Sequence, residues 1–307
     1  MTKQPCFPFR SEQAKAEYEA HCLNRAKAWP VSAETKLIDT ASGQTFVRTC
    51  GSITDPPLVL LPGGRSGSLM WTHLIGALSA NYRAYALDTL GDVGFSLNRR
   101  PLVKPEDLVN WLEEVLAALI PDQPVSLMGI SYGGWLAGQY ALRFPNRVRN
   151  VVLLAPACTV FPVSFGFLVR MGLLSIPIGS PLRRMLHWIF RDAVTGGSTA
   201  RALVNEAIAD VELAVRLFDL PRPVWPTVID DKGWQGFRVP CLFLVGEHEK
   251  IYSAQAAVRR LDRVAPRVRS EIIHGAGHDL TMVQADLVLE KVLRFLGEQR
   301  GQEASAA

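Results

Sequence analysis

The sequence contains little cysteine, and its five cysteines lie far apart. No two of them form a Cys-x-x-Cys pair, the spacing that holds zinc or exchanges disulfides. An odd number of scattered thiols is typical of a protein from a reducing compartment and not of a small disulfide-bonded domain. The five are Cys6, Cys22, Cys50, Cys158 and Cys241.

Long apolar runs are also missing. Charged residues interrupt the N-terminal part of the chain, so it lacks the continuous apolar stretch of a secretory signal. One segment, 151–169, is apolar, but Pro156 and Pro162 interrupt it and Arg170 ends it. A membrane helix needs ~20 apolar residues, so we interpret this segment as a strand that continues into an apolar insertion. We expect no membrane span and a cytoplasmic location.

Neither sign of charge dominates, since the formal net charge is only +4. The densest group of arginines fits one solvated helix and the turn after it. A nucleic-acid surface would be accompanied by a recognisable binding module or by stacking aromatic residues, and this group has neither. We therefore expect no nucleic-acid partner. The group consists of Arg259, Arg260, Arg263, Arg267 and Arg269.

The chain has 307 residues, of which 48% are hydrophobic, enough for a sizeable core. After a helix-favouring segment and a β-hairpin pattern, short apolar strands alternate with helices from Leu58 onward. Parallel strands need such crossover helices, so the pattern predicts a mostly parallel sheet covered on both faces. The alternation is interrupted over 158–238, which we interpret as an insertion between core segments 1–157 and 239–307.

A Gly-x-Ser-x-Gly motif, Gly129-Ile130-Ser131-Tyr132-Gly133, stands between a predicted strand and a predicted helix. This setting presents a serine hydroxyl on a sharp turn and directs the N-terminus of the next helix at a developing oxyanion. Ser131 is therefore a candidate nucleophile. The competing interpretation is a glycine-rich turn whose serine merely caps the helix.

A serine nucleophile needs a histidine base within hydrogen-bond reach. His278 follows the last predicted strand in a Gly-Ala-Gly-His loop, in the chain order serine, acid, histidine. His274 is its rival. A metal site shared by the two histidines would need a helix, which Gly275 and Gly277 disfavour, so no metal is expected.

The orienting acid should follow the strand before the last helix and strand, where Glu247 and Glu249 are both available. The oxyanion hole needs two unobstructed backbone amides, and we assign them to Gly64, after the first parallel strand, and to Tyr132. The glycines near Gly64 could instead form a phosphate-binding loop, but they lack the spacing of the known phosphate motifs.

In the order and spacing of these landmarks the chain resembles the α/β-hydrolase superfamily, and in particular bacterial carboxylesterase-like members with an inserted cap. The resemblance implies an α/β fold with a mostly parallel sheet of eight strands, flanked by helices. Only the second strand would be antiparallel, and residues 158–238 would form a helical cap. It also favours Glu249 over Glu247 as the acid. Pro62 replaces the family's usual histidine, and Glu249 its more frequent aspartate. The landmarks are residues 60–64, 88–91, Gly94, Ser96, 129–134, 144–148, 246–249 and 275–278.

The resemblance implies a serine hydrolase that cleaves a carboxylic ester through an acyl-enzyme, without a cofactor. Its substrate would be a small-molecule ester with an apolar acyl or alcohol part. Thioesters, lactones, amides or carbon–carbon bonds remain open as alternatives, as does a non-catalytic ligand-binding protein. The oligomeric state stays open, a homo-oligomer included. Aromatic and methionine side chains of the cap either line an apolar pocket or pack the cap on the core: Phe161, Phe165, Phe167, Met171, Trp188, Phe190, Trp225 and Trp234.

Overall fold

The computed structural model describes residues 8–174, 180–219 and 222–306. Nine strands in these ranges form one sheet. They are β1 (Glu34–Asp39), β2 (Gly43–Cys50), β3 (Pro57–Leu61), β4 (Arg83–Leu87), β5 (Leu97–Asn98), β6 (Val125–Ile130), β7 (Val148–Leu154), β8 (Cys241–Gly246) and β9 (Val268–Ile273).

The order of strands across the sheet is β1-β2-β4-β3-β6-β7-β8-β9. β2 runs antiparallel to both β1 and β4, and every later pair along this path is parallel. The predicted mostly parallel sheet of eight strands is therefore confirmed. A ninth strand, β5, pairs with one end of β2 outside this path. It has only two residues. So short a strand shows no alternation of apolar and polar residues by which the sequence could reveal it.

Twelve α-helices connect and cover the strands in the described part of the chain. They are α1 (Glu12–Ala26), α2 (Thr72–Ser79), α3 (Pro105–Leu119), α4 (Tyr132–Arg143), α5 (Phe165–Leu174), α6 (Pro181–Ile189), α7 (Arg191–Thr195), α8 (Ser198–Leu217), α9 (Asp231–Gln235), α10 (Ala254–Val264), α11 (Leu280–Val283) and α12 (Ala285–Ala306).

Helices bury both faces of the sheet, as the strand β3 illustrates. Its alternate residues Val59 and Leu61 belong to the core under α3, α4 and α10. Leu58 and Leu60 point to the other face and pack in the core under α2 and α12. All four are fully buried, which explains why the strand is a continuous apolar run instead of an alternating one.

Five helices, α5 to α9, lie between β7 and β8. The longest of them, α8, has 20 residues, and the other four have five to ten. Helices of five to ten residues that are separated by prolines and glycines give weak periodicity. Within the described residues, no helix is both long enough and apolar enough to cross a bilayer.

Candidate active site

Ser131 lies on the sharp turn between β6 and α4. Its backbone angles, φ 52° and ψ −114°, are uncommon for a residue with a side chain. The turn is anchored on both sides: the Ser131 amide donates to Leu154 O at 2.9 Å, and Ala157 N donates to Ser131 O at 3.0 Å. The strained turn holds the serine hydroxyl at the carboxyl end of the sheet.

Two glycines of the motif are required by close backbone contacts. A Cβ atom at Gly129 would lie 2.2 Å from Gly133 O, and one at Gly133 would lie 2.2 Å from Leu61 O. Such distances are far below van der Waals contact, so only glycine fits at either position. These contacts explain why both outer positions of the motif are glycine.

The structure brings His278 and Glu249 together with Ser131. His278 lies in the loop between β9 and α11, with its Nε2 2.9 Å from Ser131 Oγ. Its Nδ1 lies 2.8 Å from Glu249 Oε2. The other oxygen of Glu249 accepts from the amides of Lys250 at 2.8 Å and Ile251 at 3.0 Å. One imidazole thus connects the serine hydroxyl to a carboxylate whose side chain is 0% exposed.

The surroundings of His278 act on its charge in opposite directions. Burial disfavours the imidazolium, but the Glu249 carboxylate favours it, with a further contribution from Asp279, and the net result is a raised pKa for His278. The ring is therefore a stronger base than an ordinary histidine. It is also held in place by the contact with Glu249, which selects the orientation and the tautomer.

The rival residues lie elsewhere. Glu247 accepts from the Gly275 amide at 3.1 Å and lies 3.3 Å from His274 Nδ1. These contacts lower the pKa of Glu247. His274 is 82% exposed, so it is a surface residue rather than a buried one. Of the two carboxylates that the sequence left open, only Glu249 contacts the histidine beside Ser131.

The loop after β3 passes beside the serine turn. A Cβ atom at Gly63 would lie 3.8 Å from Ser131 Cβ, and one at Gly64 would lie 3.6 Å from Tyr132 Cβ. The Tyr132 hydroxyl donates to Val224 O at 2.8 Å, so its ring is directed toward the inserted helices. Gly64 therefore lies next to Tyr132, the first residue of α4.

The chain is similar to known proteins over most of its length. The model of the alpha/beta hydrolase family matches residues 58–291. The chain is 33% identical to an uncharacterized carboxylesterase, nap, from Bacillus subtilis, over 89% of this chain and 90% of that protein. The chain belongs to the alpha/beta hydrolase family.

Two further relatives of this hydrolase come from the same organism. Carboxylesterase YbfK of B. subtilis is 30% identical over 87% of this chain and 89% of its own length. The crystal structure of the naproxen esterase (carboxylesterase NP) of B. subtilis has a TM-score of 0.82 at 31% identity, and covers 92% of this chain and 98% of that one.

A cavity of about 440 Å³ opens over Ser131 in the hydrolase. We call the part beside Ser131 and His278 the serine end, and the part formed by α1, β2 and α8 the far end. Of the eight cap residues considered from the sequence, only Phe190 lines this cavity within the described part of the chain. Phe165 and Trp225 are exposed, whereas Trp234 is buried in the core.

Two further residues lie beside His278: Phe190, which the sequence offered only as one of eight candidate cap side chains, and Asp279, which belongs to no motif and was not found. Phe190 stacks on His278, with ring centroids 6.2 Å apart. Asp279, buried beside the histidine, accepts from Ala193 N at 2.7 Å and from Gly277 N at 3.1 Å, so it ties α7 to the histidine loop. A carboxylate directly after the candidate base was the one available signal.

Metal binding has no support in the described parts of the hydrolase. Within them, no three His, Cys, Asp or Glu side chains are grouped closely enough to share an ion. Four of the five cysteines, Cys22, Cys50, Cys158 and Cys241, are buried free thiols. Cys6 lies outside the described residues.

Proposed function

We propose that this hydrolase cleaves small-molecule carboxylic esters through an acyl-enzyme formed on Ser131. The observation that carries the proposal is the single imidazole of His278, which lies 2.9 Å from Ser131 Oγ and 2.8 Å from Glu249 Oε2. The carboxylesterase activity named for both B. subtilis relatives supports the choice of an ester as substrate.

In the first half of the reaction, Ser131 Oγ attacks the ester carbonyl while His278 Nε2 takes the hydroxyl proton. The carbonyl oxygen becomes an oxyanion, and we assign its two donors to the backbone amides of Gly64 and Tyr132. Collapse of the tetrahedral intermediate breaks the bond to the alcohol, which leaves with the proton from His278. The acyl group remains on Ser131.

In the second half, water attacks the acyl-enzyme with His278 again as base, and the acid product leaves. Glu249 does not itself take up a proton in this scheme. It holds the ring so that Nε2 faces the serine, and it stabilises the imidazolium that forms transiently. Its buried position and its two amide donors hold the carboxylate in place beside the ring.

We further propose that 158–238 is a cap on a core formed by 1–157 and 239–307. The segment leaves the sheet after β7 and returns at β8, and it places Phe190 against His278. Leu182, Met185 and Leu186 of α6 line the same cavity. An apolar acyl or alcohol part would lie against these side chains with its ester carbonyl at Ser131.

Hydrolysis of p-nitrophenyl butyrate tests the proposal, with Ser131→Ala as the matched variant. We expect release of p-nitrophenol by the wild type, and an acylated Ser131 peptide by mass spectrometry after rapid acid quenching. Turnover of a thioester or an amide but not of the ester would overturn the substrate class. An acyl group on any other residue would overturn the assignment of the nucleophile.

A further inference from the structure

The far end of the cavity contains a cation, Arg48, that has no carboxylate partner among the residues that the structure describes. Arg48 lies on β2 and lines the same cavity as Ser131. Its guanidinium carbon lies 5.2 Å from the ring centroid of Trp29 and 5.7 Å from that of Phe46. Its Nε is buried without a hydrogen-bond partner, and the described residues supply no ion pair to the group.

The other arginines that line this cavity are paired. Both contacts of Arg25 are to carboxylates of α8, where Asp210 Oδ1 also lies 2.6 Å from His21 Nε2. Arg65, on the loop after β3, pairs with Asp92. The ion pairs are Arg25–Glu206, Arg25–Asp210 and Arg65–Asp92. Arg48 therefore differs from every described arginine that lines this cavity.

Asp88 is the nearest candidate to neutralise Arg48, but its oxygens are already engaged. Oδ1 accepts from Ser68 N at 2.6 Å, and Oδ2 accepts from Phe95 N at 2.9 Å. Burial lowers the pKa of Arg48, and the charge of Asp88 only partly offsets this effect. The rings of Trp29 and Phe46 favour a cation but offer no oxygen for its N–H groups. A partly buried charge without such an acceptor is costly, though less so than a fully buried one.

We propose that Arg48 binds a carboxylate carried by the substrate at the end remote from the scissile ester. The inference rests on the proposed esterase function, because it concerns the substrate of that same cavity. A guanidinium presents paired N–H groups that match the two oxygens of a carboxylate. A doubly charged phosphate fits less well, since the Asp88 carboxylate near Arg48 would repel its second charge.

The sheet register indicates how far apart the two groups lie. Arg48 on β2 is opposite Ala86, Ala86 is opposite Leu60, and Leu60 is opposite Met128. Three strand spacings put the Cα atoms of Arg48 and Met128 about 14 Å apart, and Met128 precedes Ser131 by three residues. The substrate would therefore be a half-ester with a chain of several carbons between its carbonyl and its carboxylate.

Two substrate series test this inference. The first pairs p-nitrophenyl monoesters of glutaric, adipic and suberic acids with neutral p-nitrophenyl esters of matched chain length. The second places the carboxylate on the alcohol side, as butyrate esters of ω-hydroxy acids and of simple alcohols. The quantity measured is the ratio of kcat/KM for the anionic ester over the neutral one. In the wild type this ratio should peak at one chain length in one of the two series.

Arg48→Met should lower that ratio at least about tenfold at the preferred length, mainly through KM, because a hydrogen-bonded charge pair is lost. Arg48→Lys should give an intermediate ratio, since it keeps the charge but not the paired geometry. Arg99→Met is the matched control: Arg99 is an exposed arginine on the sheet edge, bonded to Asp39. Its ratio should equal that of the wild type.

A second measurement uses the wild type alone. Free adipate or suberate should inhibit hydrolysis of p-nitrophenyl butyrate competitively and more strongly than the monocarboxylate of the same length. Equal inhibition, or an anionic-to-neutral ratio that Arg48→Met leaves unchanged in both series, would overturn the carboxylate site. If neutral esters are hydrolysed in that case, only this inference fails. If no ester of either series is hydrolysed, the proposed function fails.

Discussion

The two ends of the cavity are built in different ways. At the serine end, Ser131, Glu249 and His278 come from turns that directly follow the strands β6, β8 and β9. At the far end, ion pairs such as Arg25–Asp210 join α1 to α8, two helices more than 170 positions apart in the chain. The serine end depends on backbone turns, which leave motifs in the sequence, and the far end depends on helix packing, which does not.

Of the substitutions proposed for the two ends of the cavity, replacing the nucleophile Ser131 should reduce activity most. Ser131→Ala removes the atom that forms the acyl-enzyme, and we expect kcat for p-nitrophenyl butyrate to fall by about 10⁶. Steady-state kinetics and a thermal melt of the same preparation measure this. A melting temperature near that of the wild type shows that the loss is chemical, and substantial remaining turnover would contradict the role of Ser131.

The two carboxylates after β8 provide a matched pair at the serine end. Glu249→Gln should lower kcat by about 10⁴, because the imidazole loses the charge that holds its orientation and tautomer. Glu247→Gln is the control, since Glu247 contacts the exposed His274 instead, and its kcat should stay within about twofold of the wild type, as for most surface substitutions. Equal losses in the two variants would contradict the assignment of the acid.

The pH dependence of kcat/KM reports the state of His278 directly. Only the neutral imidazole accepts the proton, so activity should fall about tenfold per pH unit below its pKa. Since Glu249 and Asp279 outweigh burial and raise the pKa of His278, the fall should begin above the ordinary value of about 6.5. A profile that stays flat down to about pH 5 would contradict the role of His278.

Mutation of the contacts between α1 and α8 at the far end should act mainly through stability. Asp210→Asn weakens the contacts to His21 and Arg25, and we expect the free energy of unfolding to fall by about 1 kcal/mol. Denaturant titration measures the change, with Glu17→Gln, which breaks an exposed pair with Arg216, as the milder control. If Asp210→Asn lowered kcat as much as Glu249→Gln does, the two ends of the cavity would not differ in function, which would contradict this comparison.

The parallel sheet and the succession of its strands along the chain could be predicted, because each buried strand is a short apolar run between two helices. Ser131 and His278 could be placed because a sharp turn tolerates only glycine at Gly129 and Gly133, and because a flexible glycine loop precedes the histidine. The choice between Glu247 and Glu249 needed the resemblance to a family. Spacing alone does not tell which carboxylate turns inward.

The contribution of α1 to the cavity could not be predicted. Helix composition identified α1, but its packing against α8 depends on contacts across the whole chain, such as those of Phe9 and Tyr18 with Phe218. The same reason applies to Phe190, whose position over His278 depends on the path of the inserted helices. That no described carboxylate pairs with Arg48 is visible only in the folded structure.

Labelling with a fluorophosphonate, followed by peptide mapping, tests the central claim most directly, namely that His278 makes the Ser131 hydroxyl reactive. Such a reagent forms a stable adduct only with an activated serine. We expect one adduct, on the peptide that contains Ser131, and a strong loss of labelling rate in folded His278→Ala protein. An adduct on another residue, or equally fast labelling of Ser131 without His278, would contradict the account.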